Sequence, residues 1–339
     1  MISRREFIMK SIAAAALGLD ATSSFGRRSL SADEIKIGIV GLDTSHSGAF
    51  TKIINDPKNP KMQGVRVAFA HPYGSLKIAS GASRIPQYIQ EIKALGIQVV
   101  DKLEDLIHMS DVILLETSDG NLRLEQVLPI LKAKKPVFMD KPVGAHLADV
   151  LKIYKAIEQY AVPAFSSSAL RYMEGAQKVR YGNAVGRVIG AEAFSPQNTE
   201  PSHTDLYWYG VHGVEILFTM MGTGCESVKR IIEKEQDIVI GKWKDGRIGT
   251  YRGDLQGRQY YGGTAYGTDA VLPLGQFGGY QGLVEVIVQF FKDRKPPVEA
   301  QETIEIYTFM EAADISKKQN GEWVSMQKTY DAALMGGKN

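Results

Sequence analysis

The sequence predicts an α/β fold: an N-terminal doubly wound, Rossmann-like parallel sheet, followed by an α+β domain built on a large open antiparallel sheet. Three observations carry this expectation. From Ile35 onward, short runs rich in β-branched residues alternate with segments of helical spacing, and such alternation requires a parallel sheet with helices on both faces. After Arg171 the strand patterns lengthen and are joined by turns, one of them the hairpin signal Asp245-Gly246. The 339 residues are enough for two cores.

Taken in order, the chain opens with Ser3-Arg4-Arg5-Glu6-Phe7-Ile8-Met9-Lys10, the pattern of a twin-arginine export signal, and an apolar run from Ile12 to Leu19 follows it. That run is too short for a membrane span, which needs about 20 apolar residues. Residues 1–33 are therefore expected to be an export leader, 34–168 a dinucleotide-binding domain, and 169–339 a substrate and oligomerisation domain. The twin-arginine route carries folded proteins, so the expected location is periplasmic or otherwise exported. A diffusible cofactor would have to travel bound and stay bound.

Strands are expected at 35–40, 65–70, 112–115, 137–139 and 164–166, with helices near 50–54, 122–131 and 147–160. Beyond them come strands at 188–194, 238–243 and 248–252, and helices from about Gly210 and over 280–292. A closing helix at 303–319 has Lys317 and Lys318 in its last turn and Asn320-Gly321 as its stop, and it is expected to pack back on the first domain. Composition is that of an ordinary globular protein, 44% hydrophobic and 23% charged, and a net charge of +2 gives no reason to invoke nucleic acid. The expected partner is a small molecule. Cys225 is the only cysteine, which excludes an intramolecular disulfide.

The first strand runs into Gly41-Leu42-Asp43-Thr44-Ser45-His46, where a dinucleotide turn would place glycines at 41, 43 and 46. Asp43 and His46 replace the second and third, and a carboxylate at 43 adds bulk and like charge beside a pyrophosphate. Thr44, Ser45 and the amides of a helix start could compensate. The alternative is a plain strand-turn-helix with Asp43 capping the helix. At the end of the second strand, Ala70-His71-Pro72-Tyr73-Gly74-Ser75 lacks the usual ribose-binding acid, while Ser75 and Lys77 could face the 2′-phosphate of NADP. Thr117 and Asp119 follow the strand at 112–115, and Asp140 and Lys141 follow the strand at 137–139, where open α/β sheets bind ligands. These residues complete the candidate cofactor contacts.

Asp140-Lys141-Pro142 resembles the Glu-Lys-Pro signature of the glucose-fructose oxidoreductase, inositol dehydrogenase and rhizopine-catabolism (Gfo/Idh/MocA) family. Gly210-Val211-His212-Gly213-Val214-Glu215 is similar to its G-x-H-x-x-D segment, and the last helix to its closing segment, so the resemblance covers Ile35 to the end. It implies a Rossmann domain followed by an open sheet used for homo-oligomers, NAD or NADP as cofactor, and redox chemistry at a ring hydroxyl of a sugar, polyol or related compound. By position it implies Lys141 as the residue binding substrate and nicotinamide ribose, and His212 as the acid/base. Neutral imidazole suits removal of a hydroxyl proton as hydride leaves, and a lysine cation suits a developing alkoxide.

The family often carries Asp four residues before that histidine, and here Trp208 stands there, with Tyr209, Glu215 or Asp205 as substitutes. Arg171 matches an arginine that could bind substrate oxygens, and the aromatic run Tyr207-Trp208-Tyr209 could stack on a sugar face. No metal is expected: Asp43, His46 and His212 have no ligand spacing. Two other readings stay open, a redox-neutral NAD-dependent glycoside-cleaving enzyme or lyase, and a non-catalytic carbohydrate-binding protein that has lost the cofactor.

Overall fold

The computed structural model describes residues 34–336, apart from Gly257 and Gln259. The expected export leader, residues 1–33, lies outside the described residues. The N-terminal half runs β1 (Ile35–Val40), α1 (His46–Ile54), β2 (Val65–His71), α2 (Ala79–Ala82), α3 (Ile85–Ala94), β3 (Gln98–Val99), α4 (Leu103–Met109), β4 (Val112–Leu115), α5 (Arg123–Lys132), β5 (Val137–Met139), α6 (Leu147–Tyr160) and β6 (Ala164–Ser166). All six strands pair in parallel in the order β3-β2-β1-β4-β5-β6. Val112 to Leu115 are fully buried, as an uninterrupted apolar run must be when helices cover both sheet faces. The order reverses between β1 and β4, so the loops that follow these two strands border the crevice where such sheets bind ligands.

The second half runs α7 (Glu174–Tyr181), β7 (Val188–Pro196), α8 (Asp205–Trp208), α9 (Gly210–Met221), β8 (Cys225–Glu233), β9 (Gln236–Trp243), β10 (Ile248–Asp254), β11 (Gly262–Gly267), β12 (Val271–Pro273), α10 (Gln281–Asp293), α11 (Ala300–Lys318), β13 (Val324–Ser325) and α12 (Met326–Gly336). Its seven strands form one sheet, β12-β11-β7-β10-β9-β8-β13. The sheet is mixed where a wholly antiparallel one was expected, because β10 pairs in parallel with β7. Two helices and a hairpin separate these strands in sequence, which supplies the long crossover that a parallel pair needs.

Two helices from late in the chain return to the first sheet. On α11, the Tyr307 hydroxyl accepts a hydrogen bond from the Val143 amide at 2.7 Å, just beyond β5. On α10, Phe290 meets Phe165 of β6 edge-on at 4.9 Å, and Phe165 in turn meets Phe138 of β5 at 5.1 Å. All three rings are buried, so truncating Phe290 to Ala should cost about 3–5 kcal/mol. Among the described residues, no helix is long and apolar enough to cross a membrane.

Candidate active site

The crevice is built first by the turn after β1. Gly41 has φ +103°, and a Cβ there would lie 2.5 Å from the Thr117 amide, so only glycine lets the turn sit against the end of β4. Asp43 does not cap α1, as one expectation had it. Its carboxylate accepts bonds from the Ser118 amide at 3.1 Å and the Ser118 hydroxyl at 2.9 Å, and burial raises its pKa despite them. The start of α1 at Ser45 carries no side-chain cap, and the His46 amide has only a long 3.4 Å contact to the Thr44 hydroxyl. First-turn amides of α1 therefore remain for an anion.

The segment after β2 folds over this turn. A Cβ on Gly74 would lie 3.1 Å from Asp43 Cβ, and Gly81 also packs against Asp43. Ser75 is buried and bonded to the Asp119 carboxylate, so it does not face a phosphate as expected. Burial alone would raise the Asp119 pKa. Bonds from Ser75 and Asn121, with His203 nearby, hold it below the ordinary carboxylate value.

The floor is charged and largely buried. His46 Nδ1 and Asp140 Oδ2 are 2.5 Å apart, and the Lys141 amide donates to Asp140 Oδ1 at 2.8 Å. Burial opposes ionisation of Asp140, but His46 and Lys141 outweigh it and hold its pKa at about 2. Glu116, the residue after β4, is wholly buried, and neither carboxylate oxygen has a hydrogen-bond partner of good geometry. Burial and the neighbouring Asp140 push its pKa well up. The Arg123 guanidinium, also wholly buried, donates to the carbonyls of Leu115 at 2.7 Å, Pro142 at 3.1 Å and Thr117, which ties the end of β4 to the turn after β5. Glu116, Arg123 and Ser118 were missed by sequence reasoning. The one available signal was an acid placed directly after the apolar run of β4.

The opposite wall comes from α9, whose residues are all buried. A Cβ on Gly213 would lie 2.3 Å from the Tyr251 ring, so this glycine lets the helix lie close on the second sheet. His212 then meets Ser168, its Nδ1 2.7 Å from the hydroxyl oxygen. Burial pushes the His212 pKa well below its ordinary value, and Lys141 and His46 act in the same direction. The Lys141 ammonium, its own pKa lowered by burial, lies 5.5 Å from the centre of the Tyr209 ring, and that ring is 6.0 Å from His212. The structure thus gathers Lys141, Tyr209 and His212. Tyr261, 5.8 Å from His212, and Tyr280, 4.9 Å from His46, extend the wall and were not foreseen.

Of the expected substrate residues, Trp208 packs on His203 at 5.2 Å, while Arg171 and Glu215 bond to each other. Arg171 donates to Glu215 at 2.7 Å and to Glu302 at 2.8 Å, and Glu302 also accepts from Arg180 at 2.6 Å. This buried network uses Arg171 and Glu215 inside the protein instead of leaving them for substrate oxygens. Its connection to the site is indirect: Ser167 donates to Glu215 at 2.9 Å and is followed by Ser168, the partner of His212.

Fold and site define a Rossmann-type α/β protein with a second mixed sheet and a charged, tyrosine-walled cleft at the ends of its parallel strands. No protein-family model and no curated protein matches the chain. Solved structures match it in shape. The scyllo-inositol dehydrogenase of Lactobacillus casei, solved with NAD(H) and scyllo-inositol, superposes with a TM-score of 0.69 at 14% identity, covering 87% of this chain and 99% of that one. An oxidoreductase of Agrobacterium radiobacter, in complex with NAD+, L-tartaric acid and magnesium, gives 0.69 at 14% identity over 87% and 99%. An oxidoreductase of Thermotoga maritima gives 0.67 at 16% identity over 87% and 99%. At such identity the likeness establishes the fold alone.

A dinucleotide fits the crevice. The uncapped start of α1 suits its phosphates, Asp43 is turned toward Ser118, and segment 74–81 would enclose the adenosine end. Gly41, Thr44, Ser45 and Thr117 border the same crevice.

Proposed function

We propose that this chain is an exported oxidoreductase that transfers hydride between a tightly held NAD and a ring hydroxyl of a sugar, polyol or related carbohydrate, and that it works as a homo-oligomer. The observation that carries the reading is the meeting of Lys141 and His212 across Tyr209, at the carboxyl ends of the parallel strands. The L. casei fold-mate solved with NAD(H) and scyllo-inositol supports the cofactor and substrate class. The ionised Asp119 bonded to Ser75 favours NAD, since a carboxylate there opposes the 2′-phosphate of NADP. Export rests on the motif around Arg4 and Arg5. Self-association is supported by exposed apolar side chains along the second sheet, such as Ile189, Ile248 and Val271.

A bound nicotinamide would supply the hydride acceptor or donor. The chain itself manages proton and charge. With Nδ1–H assigned as donor to Ser168, His212 keeps Nε2 unprotonated, and its low pKa keeps the ring neutral at physiological pH. Nε2 takes the substrate hydroxyl proton, and the Lys141 ammonium stabilises the alkoxide that develops. Tyr209, packed beside both, excludes water from the proton transfer.

The test is to denature protein purified without added cofactor and record the absorbance and mass spectrum of what is released. Stoichiometric NAD is expected. If no nucleotide is released, and calorimetry after refolding with excess cofactor shows no binding of NAD or NADP, the reading is wrong.

A further inference from the structure

The floor of the cleft holds side chains for which proton and hydride transfer have no task. His46 enters from the start of α1, Glu116 from the end of β4 and Asp140 from the end of β5, and each brings one donor atom to a point where all three lie within 4.8 Å of one another. We propose that His46, Glu116 and Asp140 form a divalent-cation site.

Two observations carry this independently. The first is geometry. Metal–nitrogen and metal–oxygen distances of about 2.0–2.2 Å place ligand atoms roughly 3 Å or more apart, so these three donors need only small side-chain movements to share one ion. The second is Glu116. It is wholly buried, neither oxygen accepts a bond from any protein donor, and its hydrogen-bonding neighbour is another carboxyl, Asp140, a costly arrangement that a cation between the two would relieve.

The 2.5 Å approach of His46 Nδ1 to Asp140 Oδ2 is one that a proton can hold, and the ion would take that proton's place. The imidazole is already oriented as a ligand should be, stacked on Phe50 at 5.2 Å and met edge-on by Tyr280 at 4.9 Å. Nearby cations oppose binding. Arg123 spends Nη1 and Nη2 on three carbonyls, Lys141 leans over Tyr209, and Asp43 adds a carboxyl on the favourable side. One imidazole and two carboxylates suit Zn²⁺ or Mn²⁺, and three protein ligands leave positions for water or substrate oxygens. The site does not depend on the NAD reading.

The test uses the untagged protein, stripped with chelator, then dialysed and titrated with MnCl₂ and with ZnCl₂ by calorimetry in two buffers of different ionisation enthalpy. One ion per chain is expected, with net proton release, because its ligands must be deprotonated to bind. Glu116→Gln and His46→Gln should each weaken binding at least about tenfold while the circular-dichroism melting curve is retained. No binding to the parent at millimolar metal overturns the proposal, as does binding that neither variant weakens. Should both variants fail to fold, X-ray absorption of the metal-loaded parent decides: a shell containing one imidazole is expected, and an all-oxygen shell overturns the site. NAD content measured on the same samples separates the two proposals, because either can fail while the other stands.

Discussion

Two buried charged clusters in this molecule are built in opposite ways. Around Arg230 opposite charges are paired: its Nε and Nη2 hold the two oxygens of Asp237 at 3.0 and 2.6 Å, Gln197 donates to the same carboxylate, and Asp205 lies 3.2 Å from Nη1, although Nη1 itself and Gln197 Oε1 lack a well-aligned hydrogen bond. The group of Arg171, Glu215, Glu302 and Arg180 likewise gives each carboxylate a guanidinium, with only Arg171 Nη2 left without a partner. Around Asp140 like is set beside like: the buried Glu116 takes no bond from any protein donor and has another carboxyl, Asp140, as its hydrogen-bonding neighbour, with Thr117 Oγ1 and Arg123 Nε buried and unpartnered close by. Buried polar groups are normally paired, and a low dielectric makes each exception expensive. The contrast therefore separates framework from site. The Arg230 cluster holds the second sheet to its helices, and the Asp140 cluster is a surface prepared for something else.

The largest expected effect breaks the framework. Arg230→Met leaves the fully buried Asp237 without its guanidinium, and removing one partner of such a pair costs about 3–5 kcal/mol, read as a lower urea midpoint. The double variant Arg230→Met/Asp237→Leu should recover most of the loss, since an apolar pair of similar volume is tolerated. A single-variant cost below about 1 kcal/mol would erase the distinction between the clusters.

The next effect belongs to catalysis rather than to stability. His212→Ala and Lys141→Ala should each lower turnover about 10²-fold, or about 2.7 kcal/mol of barrier, with the melting temperature nearly unchanged. The double variant should lose less than the product of the singles, because both residues act on one proton transfer. A loss under about threefold for His212→Ala, with a validated substrate, moves the role to Tyr209.

The same contrast shows what was legible in the sequence. The parallel sheet could be read because its strands are short apolar runs between helices, and Lys141 and His212 could be read because they stand in motifs. Tertiary pairing could not be read. Arg171 and Glu215 are 44 residues apart, and nothing in their local sequence says that each neutralises the other. Nor did spacing reveal that β10 lies parallel to β7, or that α10 closes one face of the first sheet, since both follow from long-range packing. Asp43 looked like an obstacle to a phosphate until its partner Ser118, 75 residues on, was in view.

A smaller effect separates the clusters by pH. Burial holds His203 and His212 below the ordinary histidine pKa, and His203 Nε2 must be unprotonated to accept the Gly120 amide at 2.9 Å. The unfolded chain therefore takes up protons first as pH falls. This contribution is complete above the unfolded value of about 6.5 and is lost as pH drops toward the folded values. In the framework, burial opposes ionisation of Glu302, but Arg171 and Arg180 hold its pKa low, so its contribution is lost only in the acid range, below the ordinary carboxylate value. On acidification from about pH 7.5 to about 5.5 these histidines pull the melting temperature down while the raised Glu116 pulls it up, so His203→Gln should fall less, or rise more, than the parent over this window. A His203→Gln profile parallel to the parent's contradicts the sign.

The smallest expected effect tests the comparison most sharply. Glu116→Gln keeps the volume of the side chain and removes a carboxyl group whose oxygens make no good hydrogen bond, so little native interaction is lost. An amide that cannot ionise replaces a carboxyl that burial and Asp140 already hold against ionisation, and it can still donate to Asp140. Stability should change by less than about 1 kcal/mol, while the same substitution in a charge-paired cluster would cost several times more. Urea unfolding of Glu116→Gln beside Glu302→Gln measures this directly. If Glu116→Gln proves as costly as Glu302→Gln, then Glu116 is framework, and the unmet demand around Asp140 does not mark a site.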